Sequence, residues 1–327
     1  MNKDNYLRSI DYLRVSITDK CNFRCVYCMP EEGIQLKNHH EILRLEEFLR
    51  IIKVAAGLGV KKIRLTGGEP LVRKGVVDFI SKIKEIPGIE DIALTTNGAL
   101  LADMAGALKK AGLNRINISL DTLVEEKFTQ ITRVGSLATV MKGIEKALAV
   151  GFEPVKLNVV VIAGFNFDEV LNFVALTKDK PLHVRFIELM PIGETDEWDK
   201  KKYISAGEIL DIVKQEYQVV NSTGIKGAGP AKYMSIPGHL GSIGFITAMS
   251  NHFCNQCNRM RLTSEGKLRP CLHGDQELDL KALLRSNCSD QQLAKVIVKA
   301  IKEKPLQHRL KEKELSPREK MMFQIGG

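Results

Sequence analysis

Over its first two-thirds the chain alternates short apolar runs with longer stretches of helical period. YLRVSIT (12–18) has period two, so Leu13, Val15 and Ile17 fall on one face and Arg14 and Ser16 on the other. RLEEFLRIIKVAAGLG (44–59) has helical spacing and ends in glycines, as helices often do. KIRLT (62–66), IALTT (92–96), RINISL (115–120), PVKLNVVVI (154–162) and HVRFIEL (183–189) follow as strands. Helical patterns separate them, at roughly 75–86, LLADMAGALKKAG, LATVMKGIEKALAVG and FDEVLNFVALTK. Six strand-then-helix units, or nearly so, imply parallel strands joined by crossover helices. An open doubly wound sheet and a full or partial barrel both fit. No G-x-G-x-x-G follows the first strand, which disfavours the dinucleotide-binding version. The expected fold is α/β, a partial (βα)6 TIM-like barrel.

After Tyr217 the texture changes. NSTGIKGAGPAKY (221–233) is rich in Gly and Pro and reads as a loop or linker. Two helical patterns recur near 279–286 and 290–303. The expected organisation is a barrel over 1–220 and a C-terminal region over 221–327 that closes its open side. A chain of 327 residues buries a large core without disulfides or metals. No apolar run nears the roughly 18 residues of a membrane span, and MNKDNYLRSIDYLR has no signal-peptide core. The expectation is a cytoplasmic protein without a membrane partner. The formal charge of +9 suits an anionic partner but does not choose among nucleic acid, nucleotide and phosphate ester. Part of that charge lies in KEKPLQHRLKEKELSPREK, which reads as a solvated helical surface.

Unusual residues collect where the strands end, and in parallel strand–helix barrels that end carries function. A cysteine-rich loop follows the first strand, GGEP the second, TTNG the third, SLD the fourth and MP the sixth. Each alone is also an ordinary turn or cap. Lys156 and Asn158 lie on the face of their strand opposite Leu157 and Val159. A lysine pointing into a barrel is costly unless paired, and Arg14 and Arg64 raise the same question. Three inward cations favour an anionic substrate over structural ion pairs.

Six of the seven cysteines form two triplets, Cys21, Cys25 and Cys28, then Cys254, Cys257 and Cys271; Cys288 stands apart and reads as a buried spare thiol. Clustering of this kind in a reducing compartment points to metal, and thiolates at this density suit zinc or iron–sulfur. A single zinc site joining Cys25 and Cys28 to Cys254 and Cys257 leaves Cys21 and Cys271 unexplained. A 4Fe–4S cluster normally takes four thiolates. With three, one iron stays open to a small molecule, and an open site is what separates a catalytic metal from a structural one.

DKCNFRCVYCMP, with Tyr27 just before the last cysteine, and GGEP after the next strand resemble the radical S-adenosylmethionine (radical SAM) enzymes. The resemblance implies that the open iron chelates S-adenosylmethionine, and that its cleavage yields a 5′-deoxyadenosyl radical. FCNQCNRMRLTSEGKLRPCL, together with LRVSITDKCNFRCVYCMP, IRLTGGEPLVRKG, ALTTNG, INISLD, PVKLNVV, VRFIELMPIG and the terminal GG, is similar over nearly the whole chain to the GTP 3′,8-cyclase (MoaA) family of molybdenum-cofactor biosynthesis. Gly75 and Gly135 stand where that family is expected to have acidic residues. The resemblance implies two 4Fe–4S clusters, one on Cys21, Cys25 and Cys28 and an auxiliary one on Cys254, Cys257 and Cys271 that meets the guanine. It implies cofactor contacts from Tyr27, Gly68, Ser119 and Met190. GTP contacts would come from Arg14, Arg64, Thr95, Lys156, Arg259, Met260 and Arg261, and catalytic roles from Arg259, Arg261, Gly326 and Gly327, the last two as a tail entering the site. The ribose 3′ hydrogen would be abstracted and the carbon radical would attack guanine C8. A one-electron donor, the cyclic pyranopterin monophosphate synthase downstream and a possible homodimer are the implied partners. Two other readings compete. A peptide-modifying radical SAM maturase usually has more cysteines and no need of R-x-R. A zinc-stapled nucleic-acid-binding protein would want more aromatic residues than the 6% present.

Overall fold

Residues 2–34, 37–191, 200–222, 225, 227, 229–308 and 321–324 are described by the structure, a computed structural model. The apolar runs form strands because their side chains are buried on both faces, as parallel sheets covered by helices require. In chain order these are β1 (Tyr12–Ser16), β2 (Lys62–Thr66), β3 (Asp91–Thr96), β4 (Arg115–Ser119), β5 (Val155–Val161) and β6 (Leu182–Glu188). Between and after them run α1 (Leu45–Gly57), α2 (Val76–Lys84), α3 (Leu101–Lys110), α4 (Glu125–Thr132), α5 (Leu137–Ala149), α6 (Val170–Asp179) and α7 (Ala206–Glu216). α1 shows the logic. Phe48, Ile51, Ile52 and Ala55 recur at helical spacing and are all buried. Helix α4, in the polar stretch EEKFTQIT, was not legible from periodicity.

The sheet does not stop at the sixth strand. β7 (Val220–Ser222), β8 (Lys232–Ser235), β9 (Ser242–Ile246), β10 (Arg259–Leu262), β11 (Lys267–Arg269) and β12 (Leu278–Asp279) join it, followed by α8 (Leu280–Arg285) and α9 (Asp290–Lys302). The spatial order is β12-β11-β10-β1-β2-β3-β4-β5-β6-β9-β8-β7. β10 pairs parallel with β1, and β9 parallel with β6. The stretch expected to be a linker supplies strand residues at both its ends. β7 and β8 pair antiparallel around its Gly- and Pro-rich centre, and β8 pairs antiparallel with β9. Among the described residues eight parallel strands therefore stand side by side, six from the first part of the chain and two from the last. The flanking antiparallel strands leave the barrel open.

Both glycine departures have a local reason. Gly75 precedes α2 with φ of +82°, a left-handed conformation that suits glycine. At Gly135 a Cβ would sit 2.6 Å from Thr132 Oγ1 and 2.7 Å from Phe128 Cε1, which leaves no room for a carboxylate. Cys288 is buried among core side chains, as expected of a spare thiol.

Candidate active site

The C-terminal ends of the parallel strands open into a cavity of about 370 Å³, within the usual range for small-molecule sites. Cys21, Cys25 and Cys28 line it, and so do Cys254, Cys257 and Cys271. All six are free thiols, half-buried on its wall. The two triplets, more than two hundred residues apart in sequence, thus border one chamber because β10, which follows Cys257, lies beside β1, which precedes Cys21.

Backbone contacts hold the first loop. Cys28 N–H and Met29 N–H both donate to the Cys25 carbonyl, at 2.9 and 3.1 Å. GGEP packs directly on it. Gly68 N–H donates to the Thr18 carbonyl at 2.9 Å and Glu69 N–H to the Lys20 carbonyl at 2.8 Å. A Cβ on Gly67 would lie 2.3 Å from the Thr18 carbonyl oxygen, and one on Gly68 2.4 Å from that of Lys20, so both positions need glycine. The buried Glu69 carboxylate accepts from Leu71 N–H, Thr96 O–H and Asn97 N–H at 2.7–2.9 Å, tying this turn to the end of β3. Tyr27 O–H donates to Asp121 at 2.6 Å across the chamber floor. Burial pushes the Cys25 thiol well above its ordinary range and Cys28 up to about 12. Such thiols give up their protons when a cation replaces them.

The second loop has a different electrostatic setting. Cys257 is held below the ordinary thiol range. Its burial is outweighed by the nearby charges of Lys304 and Arg259. Strand alternation sends Arg259 and Arg261 to the cavity and Met260 the other way. Met260 is 1% exposed, packed in the core, and its side chain does not line the cavity. Arg259 also lies over the Phe253 ring at 4.9 Å.

Arg261, Arg14 and Arg64 occupy one level of three adjacent parallel strands, since Arg14 registers with both others. All three line the cavity. Arg64 donates to the Tyr12 hydroxyl and, at 3.2 Å, to Thr95. Burial and the neighbouring Arg261 hold Arg14 well below the usual guanidinium range, and burial lowers Arg261 to about 10. Tyr27, Gly68, Thr95, Ser119 and Met190 are on the same wall. Lys156 is not. It is 2% exposed, over the Tyr233 ring at 5.1 Å, and burial with the charges of Arg185 and Arg115 lowers it to about 6. Gly326 and Gly327 lie outside the described residues.

Comparison with known proteins decides what this chamber belongs to. The radical SAM superfamily model matches residues 15–177 and the Molybdenum Cofactor Synthesis C model residues 182–310. GTP 3′,8-cyclases of Heliobacterium modesticaldum and Desulforamulus reducens are 53% and 54% identical over 325 residues, covering 99% of this chain and of each relative. The chain belongs to the GTP 3′,8-cyclase family. It is a radical SAM enzyme of molybdenum-cofactor synthesis, and membership implies a 4Fe–4S cluster, S-adenosylmethionine and GTP. The crystal structure of Streptococcus suis SuiB shares the fold, with a TM-score of 0.60 at 15% identity. It aligns with 84% of this chain, which spans 65% of SuiB.

The residues present fit those groups. Among the described residues no three His, Cys, Asp or Glu side chains converge as one metal ion requires; a cluster, whose thiolates bind separate irons, makes no such demand. Among the described residues Asn117 Oδ1, Asn158 Oδ1, Arg185 Nε and Arg259 Nε are buried without a hydrogen-bond partner, and these four residues line the cavity. Unpartnered atoms of this kind suit a polar ligand. Sequence reading missed Arg185, although the inward-cation argument made for Arg14 and Arg64 applies to it, two residues after His183 in a strand. Lys304 was missed for want of a signal, since it sits in an ordinary position after a helix; Asn97 and Asp121 lie in the TTNG and SLD segments noted at the strand ends, but neither was named as a site residue.

Proposed function

We propose that the six thiols hold two 4Fe–4S clusters, one at each triplet, and that GTP lies between them against the arginine row. The cluster and S-adenosylmethionine supply, when bound, the radical that starts cyclisation at the ribose 3′ position. The chain's own residues do the rest. Tyr27, Gly68, Ser119 and Met190 shape the side of the chamber near Cys21, Cys25 and Cys28. Tyr27 is braced there by Asp121. Arg14, Arg64 and Arg261 face a triphosphate whose roughly four negative charges offset their mutual repulsion. Arg259 extends that row toward the second triplet, and Arg185 adds a fifth cation from β6. Thr95, fixed by Arg64, orients the polar end of the ligand. Lys156 stands behind the wall, stacked on Tyr233, and supports it without lining the cavity. Gly326 and Gly327 complete the chamber as a slim tail. The free thiols support a reducing, cytoplasmic setting in which a one-electron donor reduces the enzyme, and the pyranopterin synthase takes its product.

The observation that carries this reading is the shared wall, with both thiol triplets and the arginine row on one cavity. Anaerobically purified enzyme should contain about eight irons per chain. Changing Cys254, Cys257 and Cys271 to Ala together should leave about four and abolish GTP-dependent cyclisation, while S-adenosylmethionine cleavage persists. Eight irons in that variant, or retained cyclisation, would refute the assignment. The peptide-modifying reading has no support beyond a shared fold at 15% identity.

A further inference from the structure

Lys304 follows α9 and is 3% exposed. Its ammonium donates to the Arg259 carbonyl at 2.8 Å and to the Pro270 carbonyl at 2.6 Å. Its charge also acts on the Cys257 thiol. One side chain thereby ties together two pieces of the second thiol site, the start of β10 just after Cys257 and the residue before Cys271. Arg8 fixes the segment that carries it. The Arg8 guanidinium donates to the Pro305, Leu306 and Cys254 carbonyls at 2.7, 2.9 and 2.7 Å, and its own charge is met by Asp4 at 2.6 Å. Among the described residues no carboxylate forms a salt bridge with Lys304. The anion it faces is the thiol side of the second triplet.

The first triplet has different surroundings. Buried carboxylates act on it, Asp121 on Cys25 and Glu69 on Cys21, while Arg24 and the N–H groups of Phe23 and Asn97, at 3.4 and 3.8 Å, partly offset Glu69 at Cys21. One donor set is therefore repeated in two unlike fields, and among the described residues only the second has a buried ammonium hydrogen-bonded to the backbone beside its ligands. One-electron reduction adds a negative charge to a cluster, and a buried cation nearby favours the reduced form.

We propose that Lys304 sets the reduction potential of the centre on Cys254, Cys257 and Cys271, so that it takes up an electron more readily than the centre on Cys21, Cys25 and Cys28. Lys304 is a positioning and tuning residue. It is hydrogen-bonded to the backbone beside the ligands of the centre and acts on the reaction through that centre. The inference rests on the reading that the second triplet holds a 4Fe–4S cluster.

The test uses the full chain with Cys21, Cys25 and Cys28 changed to Ala, reconstituted anaerobically with iron and sulfide. This parent should hold about four irons. If it holds none, the second-cluster reading fails and the Lys304 proposal falls with it. With the cluster present, a potentiometric titration followed by electron paramagnetic resonance isolates Lys304. The midpoint should move to more negative potential in Lys304→Met and stay at the parent value in Lys304→Arg. An unmoved midpoint in Lys304→Met overturns the proposal and leaves the cluster reading intact. Should Lys304→Met not retain iron, the parent labelled with 15N-lysine decides. A 15N hyperfine coupling to the reduced cluster supports the proposal, and its absence overturns it.

Discussion

Arg14, Arg64 and Arg261 stand abreast on neighbouring strands, Arg14 in register with both others. Charges of one sign in a partly desolvated row cost stability, and the depressed guanidinium of Arg14 records that cost. Replacing Arg14 by Met keeps the length of the stem and removes the charge. The ligand-free Arg14→Met chain should be more stable than wild type by about 1 kcal/mol in urea unfolding, since one member of a repelling row is gone. The same change should weaken GTP binding by about 10- to 100-fold, the loss of one charge-assisted contact. A destabilised variant with undiminished GTP affinity would show that Arg14 is structural and faces no anion. The residue was legible because strand alternation alone turns it away from Leu13 and Val15. Met260, between the two arginines of R-M-R, is turned by the same alternation into the core, so its side chain does not face the cavity.

The seam between β6 and β9 is where the early and late parts of the chain meet. His183 of β6 registers with Ser242 of β9, and its Nδ1 is 2.7 Å from the Ser242 hydroxyl. Burial, followed by the charges of Lys156 and Arg185, pushes His183 down to about 4. Its folded value is thus below the ordinary one near 6.5, and between those limits the unfolded chain binds more protons than the folded one. Its contribution is fully present above about pH 6.5 and declines as pH falls toward 4. At pH 5 the seam should have lost about 1–2 kcal/mol relative to pH 7, discounted because the imidazole is only half-buried. His183→Gln, which cannot take up a proton, should reduce the pH 7-to-5 loss of stability by that amount; an equal loss in both proteins would count against this account. The seam also marks the limit of what pattern reading reached. The six strands of the first part are five to seven residues, rich in β-branched residues and Leu at alternating positions, and separated by amphipathic helices, so period and composition agree. β7 to β12 are two to five residues each and take their order from pairing partners far away in sequence. No local property of SIGFI reveals that it lies parallel to HVRFI, and none of RMRL that it lies parallel to YLRV. The Gly- and Pro-rich stretch from 221 looked like a linker because a hairpin connection and a linker share the same turn chemistry.

Taken as one molecule, the enzyme separates what holds it together from what it does. The core runs under all eight parallel strands, with Phe48, Phe79, Phe173 and Phe186 fully buried, while the six clustered thiols sit half-buried on the cavity wall. The loops that carry them are fixed by contacts that need no metal. Glu69 anchors the GGEP turn, Arg8 and Lys304 bind the second loop to the N-terminus and to α9, and backbone bonds fold Cys25 to Cys28. This differs from small metal-stapled domains, where removing the ion unfolds the chain because binding energy is folding energy. A chain of this length buries enough surface to fold without that contribution. Iron stripped anaerobically with a chelator should therefore leave the far-ultraviolet circular dichroism essentially unchanged and the urea transition cooperative. Stability should fall by no more than the clusters' preferential binding to the folded state supplies, and readdition of iron and sulfide should restore the brown colour without a refolding step. A stripped chain that lost its circular dichroism or unfolded without a cooperative transition would mean that the clusters are staples. The half-open thiol triplets would then need another explanation than a site kept vacant for a ligand.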